Sequence, residues 1–66
     1  MKATEFKDLL VREREERKMD RKEFAELLDM SFRSLQSYEL GDRRPELNNL
    51  ERILDILGYS MEIRKK

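Results

Sequence analysis

With 66 residues, the chain has room for one domain built around a small core. It contains no cysteine and no histidine, so no disulfide can staple it and the commonest metal ligands are missing. Charged side chains make up 45% of the sequence, but 15 basic residues balance 15 acidic ones; this argues against indiscriminate attraction to polyanions and turns attention to where the charges sit.

The longest apolar run of the first half is Leu9-Leu10-Val11, far short of a membrane span. The N-terminus leads straight into charged residues and lacks the apolar core of a signal peptide, so a cytoplasmic protein is expected. Thr4 is read as the cap of a first helix with Phe6, Leu9 and Leu10 on one face. That helix runs into Arg12-Glu13-Arg14-Glu15-Glu16-Arg17-Lys18, whose mixed charges read as a solvated face. Asp8–Arg12 and Glu13–Arg17 have the spacing of i,i+4 pairs, each worth ~0.2–0.5 kcal/mol.

Asp20 followed by Glu23 has capping-box spacing and opens a second helix with Phe24, Leu27 and Leu28 inward. Asp29 interrupts it, since Asp tolerates left-handed backbone better than most residues. Ser31 is a good cap for a third helix with Leu35 and Tyr38 on one side, and Gly41 can end it. Asp42-Arg43-Arg44-Pro45 reads as a loop. Leu47, Leu50, Ile53, Leu54 and Leu57 then make a helical stripe stopped by Gly58. Beyond it, Tyr59-Ser60-Met61-Glu62-Ile63-Arg64 alternates apolar and polar residues with period two, a strand signal. The expected architecture is all-α: four helices over 1–58, followed by a short C-terminal β-strand within 59–66.

The stretch MDRKEFAELLDMSFRSLQSYELGDRRP, Met19–Pro45, carries Asp20, Glu23, Phe24-Ala25, Asp29-Met30, Ser31, Tyr38-Glu39-Leu40-Gly41 and Arg43-Arg44-Pro45. In that combination it resembles the Cro- and lambda-repressor-like (XRE) helix-turn-helix domains, more loosely over residues 4–58. The resemblance implies a third helix projecting into the major groove of double-stranded DNA while the second lies over the phosphates. It also implies an ion pair between Arg14 and Glu39, which makes Glu39 structural. The chain departs from the family pattern at Asp29, where glycine is usual, at Glu13, where an apolar residue is frequent, and at Leu40, which is commonly polar or basic.

Carried over residue by residue, the resemblance makes Phe32, Arg33, Gln36 and Ser37 the base-facing candidates. Arg33 can donate a bidentate pair to guanine O6 and N7, and Gln36 can do the same with adenine N6 and N7. Phe32 offers no hydrogen bond; a thymine methyl, a protein surface, and the second helix itself are all open as its neighbour. Arg21, helped by the N-terminus of the second helix, leads the phosphate candidates, followed by Arg43 and Arg44, with Lys22 and Ser31 beside them. Asp20, Glu23 and Asp42 partly offset these cations.

The function implied is sequence-specific binding of double-stranded DNA by a small transcriptional regulator, a repressor acting as a homodimer on a pseudo-palindromic site. The C-terminal strand would supply the dimer contact, with Tyr59, Met61 and Ile63 on one face. Two alternatives stay open: an antitoxin with a toxin as partner, and a protein-interaction module that kept the fold without the DNA role. No Gly-rich phosphate loop and no nucleophile–base arrangement can be assembled, so neither an enzyme nor a cofactor is expected.

Overall fold

The computed structural model describes residues 3–59 as four helices: α1 (Ala3–Glu16), α2 (Arg21–Leu27), α3 (Phe32–Leu40) and α4 (Leu47–Ile56). Among the described residues there is no strand; the one expected in the tail, with Met61 and Ile63, lies outside them. The starts of α2 and α3 follow from side-chain capping. The Asp20 carboxylate accepts from the Glu23 backbone N–H at 2.8 Å, and the Glu23 carboxylate accepts from the Asp20 N–H at 3.1 Å. This closes a capping box with Asp in place of Ser or Thr. Ser31 Oγ accepts from the Ser34 N–H at 3.1 Å and opens α3. Thr4, expected as a cap, is already helical, because α1 begins at Ala3.

All four helices stop in the same way. The residue after the last turn takes a left-handed conformation: Lys18 (φ 55°), Asp29 (φ 53°), Gly41 (φ 80°) and Gly58 (φ 90°). The following N–H then reaches back to a carbonyl five residues earlier, as in Met19 to Arg14 at 3.2 Å, Met30 to Ala25 at 3.0 Å, Asp42 to Ser37 at 2.9 Å and Tyr59 to Leu54 at 2.8 Å. These bonds satisfy carbonyls that the helix itself leaves open. Glycine adopts this conformation freely and Asp tolerates it; Lys18 does so against the preference of its Cβ.

Phe6 and Leu10 from α1, Phe24 and Ala25 from α2 with Leu28 at its C-cap, Leu35 and Tyr38 from α3, and Ile53 from α4 with Leu57 at its C-cap form one core. Met19, Met30 and Leu50 pack against its edge. The Phe6 and Tyr38 rings meet edge to face, 5.8 Å between centroids at 72°. α3 lies against both α1 and α2, and Ala25 is buried where α2 meets the core. Two leucines expected inside are not. Leu27 is 40% exposed because α2 turns Phe24, Ala25 and Leu28 inward, and Leu47 is 53% exposed because α4 reaches the core only from Leu50 onward.

The charge run of α1 is not a uniformly solvated face. Glu13 is buried, where it accepts from Arg17 Nη1 at 2.7 Å and from the Tyr59 hydroxyl at 2.8 Å. A polar cluster therefore stands where the family resemblance implies an apolar side chain, and it ties Tyr59, three residues past the end of α4, to α1. The Arg17 hydrogen bond, and after it the Tyr59 bond and the Arg17 and Arg12 charges, hold the Glu13 carboxyl below its ordinary range, against the opposing effect of burial. Asp8 and Arg12 form no ion pair among the described residues, so only one of the two expected i,i+4 pairs is made.

Candidate nucleic-acid interface

The two faces of α3 have different environments. Leu35, Tyr38 and Glu39 are buried, which fixes the helix against α1 and α2. Phe32 and Arg33, the first two residues of the helix, are exposed, and Gln36 and Ser37 are half-buried one turn further along. Phe32 is 47% exposed and is not part of the core cluster. Ser31 already uses its hydroxyl twice, accepting from the Ser34 N–H and donating to Ser34 Oγ at 2.9 Å. A phosphate contact through that hydroxyl would compete with the cap.

Behind α3, Arg14 Nε donates to both Glu39 oxygens at 3.2 and 3.0 Å, and its Nη1 reaches the Met19 carbonyl at 3.4 Å. The Glu39 carboxylate is fully shielded from solvent, whereas the Arg14 side chain keeps 20% of its exposure. A second cation shares this carboxylate: Arg21 Nε donates to Glu39 Oε1 at 3.0 Å. Sequence reading brought Arg14 to Glu39 only through the family resemblance, and it assigned Arg21 to phosphates alone. The bond from Arg21 to Glu39 spans 18 positions with no periodicity to reveal it.

The other candidate cations divide into one that is held and three that are loose. The Arg43 guanidinium lies 5.5 Å from the centroid of the Tyr38 ring, a cation–π arrangement. Lys22, Arg33 and Arg44 are exposed and make no ion pair among the described residues. Tyr59 is 40% exposed, with its hydroxyl engaged on Glu13 and its ring partly open to solvent. The turn between α2 and α3 has a support that sequence reading missed: the Arg52 guanidinium on α4 donates to the Leu28 carbonyl. A cation on the last carbonyls of a helix offsets the negative end of its dipole, and here it also ties α4 to that turn.

Two short helices, a turn over residues 28–31, and a Ser-capped second helix with a solvent-facing outer side define a helix-turn-helix domain. A family model described as helix-turn-helix matches residues 10–63. The chain belongs to the Cro- and lambda-repressor-like (XRE) helix-turn-helix family, a family of DNA-binding regulators. No curated protein and no solved structure matches it. No helix among the described residues is long and apolar enough to cross a membrane.

Proposed function

We propose that this domain recognises a specific double-stranded DNA sequence with α3 in the major groove and acts as a transcriptional repressor. The observation that carries the reading is the asymmetry of α3. Its inner side is immobilised by Leu35, Tyr38 and Glu39, while Phe32 and Arg33 project from its capped N-terminal turn. A helix entering the major groove from its N-terminal end needs this division of labour. In this reading Arg33 and Gln36 read guanine and adenine edges, Phe32 meets a thymine methyl, and Ser37 completes the base-facing set. Arg21, Lys22, Arg43 and Arg44 contact phosphates, with Ser31 beside them, and set the register without specifying sequence. A homodimer joined through the tail, with Tyr59, Met61 and Ile63 at the contact, would match a pseudo-palindromic site.

The test is selection of binding sites from random duplexes, followed by variants on the selected site. Arg33→Ala should weaken that site by ~1–3 kcal/mol and erase preference at one base position. Arg43→Ala should weaken all duplexes alike and flatten the salt dependence. Wild-type affinity of Arg33→Ala under matched salt would refute the assignment of α3.

A second reading has its own support. Phe32 and Leu27, near the two ends of the helix-turn-helix turn, are 47% and 40% exposed, and the chain carries no net charge. Both features suit a surface that binds protein, including the toxin of a toxin–antitoxin pair. Binding to mixed-sequence duplex that is absent even at low salt would favour this second reading.

A further inference from the structure

Three side chains from three helices meet behind the recognition helix, and they carry one negative and two positive charges. Arg14 Nε engages both oxygens of the buried Glu39 carboxylate, so that anion already has a full counter-charge. Arg21 adds a second guanidinium through Nε alone and makes no other hydrogen bond or ion pair among the described residues. Its terminal amino groups are left over, and its side chain remains 32% exposed. The cluster therefore carries a net unit of positive charge on its solvent side, on a side chain whose inner edge is pinned. A guanidinium is planar and presents its donors in a fixed fork, so pinning Nε orients the remaining edge; an ammonium has no such second edge.

We infer that Glu39 is a positioning residue for DNA binding: its carboxylate holds Arg21 with the outer edge of the guanidinium aimed at a backbone phosphate. The inference rests on the proposed DNA-binding role and adds to it. The carboxylate behind α3 thus serves two purposes, tying α1 to α3 through Arg14 and setting the phosphate contact through Arg21. An arginine held in advance loses less rotamer freedom on binding than one free in solvent. The loose Lys22 and Arg44 provide the internal comparison.

Arg21→Lys separates positioning from charge, because it keeps the net charge and leaves the Arg14–Glu39 pair in place. The full chain is titrated with a mixed-sequence duplex between about 50 and 200 mM salt, with thermal melts run alongside to establish folding. One phosphate contact is expected to account for roughly a 3-fold loss of affinity over that range. Arg21→Lys and Arg21→Ala should both lower low-salt affinity by about that factor and reduce the log–log salt slope by about one contact. Glu39→Gln, where it folds, should also weaken binding, although it makes the chain more positive and simple charge counting predicts the opposite. Lys22→Arg, the corresponding charge-keeping exchange at a side chain that makes no ion pair among the described residues, should leave affinity and slope near wild type.

Arg21→Lys binding with wild-type affinity and slope would overturn the inference, leaving Arg21 as a charge and nothing more. A folded Glu39→Gln that binds more tightly than wild type would overturn it as well. A wild-type chain that binds no duplex at low salt would overturn the DNA-binding reading itself, and this inference with it.

Discussion

The sharpest test of the architecture is removal of Arg14. Replacement by methionine keeps most of the apolar stem and deletes the guanidinium, so the loss reports on the charge and not on packing. The change strips Glu39 of its bonds at 3.0 and 3.2 Å and frees the Met19 carbonyl from its 3.4 Å bond. Breaking a fully buried ion pair by removing one partner costs ~3–5 kcal/mol, because the other charge is stranded. Here the penalty is smaller for two reasons. Arg21 still holds Oε1 at 3.0 Å, and the Arg14 side chain is itself 20% exposed. The expected cost of Arg14→Met is therefore about 2–3 kcal/mol. A domain of this length has a total stability of roughly 3–10 kcal/mol, so the melting temperature should fall by about 10–20 °C.

Thermal and urea denaturation followed by far-ultraviolet circular dichroism measure this directly. The double variant Arg14→Met/Glu39→Met supplies the check on cause. With the carboxylate gone, Arg21 can turn to solvent, and the double variant should recover at least about 1 kcal/mol relative to Arg14→Met. If Arg14→Met melts within a few degrees of wild type, or if the two losses simply add, the buried carboxylate is not what makes Arg14 matter.

The helix ends give a pair of changes of opposite sign. Gly41→Ala forces a side chain into φ 80° and sets its Cβ 3.2 Å from the Lys7 side chain, so it should destabilise by about 1–2 kcal/mol. Lys18→Gly, at φ 55°, should stabilise by up to about 1 kcal/mol in the same melts; a loss there would mean that the Lys18 side chain contributes more than its backbone costs. Glu13 sets a pH dependence. Its carboxyl titrates in the folded state below the ordinary value of 4.5, so its contribution is present above that value and is lost as pH falls through the lower, folded one. The stability gap between wild type and Glu13→Gln should narrow from neutral pH to about pH 3, and a constant gap would show that the Arg17 and Tyr59 contacts do not depend on charge. Truncation after Gly58 should leave a monomer in sedimentation, whereas a dimer that survives the truncation would place the self-association elsewhere.

Much of the architecture was legible because it is written locally. The capping box of Asp20 and Glu23, the Ser31 cap, the left-handed Asp29 and Gly41, and the stripe through Leu50, Ile53, Leu54 and Leu57 all act over three to a few residues. Capping and periodicity have that range, so a single sequence displays them. The sequence also determined the outer side of α3, since Leu35 and Tyr38 name the inner side and the helical repeat assigns the rest. Lys18 stayed hidden because nothing local marks a lysine for positive φ; the chain accepts it there because Met19 beyond it packs against the core.

Beyond the Arg14–Glu39 pair, which the family resemblance implied, and the Glu13–Arg17 pair, which its spacing offered, the tertiary structure alone decided which charges are structural. Arg21 meets Glu39 across 18 positions, Arg52 meets the Leu28 carbonyl across 24, and Tyr59 meets Glu13 across 46. Each bond exists because α1, α2, α3 and α4 cross at particular angles, and those angles are set by the core and not by any residue in the bond. In a chain where nearly half the side chains are charged, almost any Arg–Glu pairing can be drawn on paper. Packing selects among them by burying one carboxylate and leaving another in water, because only a buried carboxylate has to find a partner.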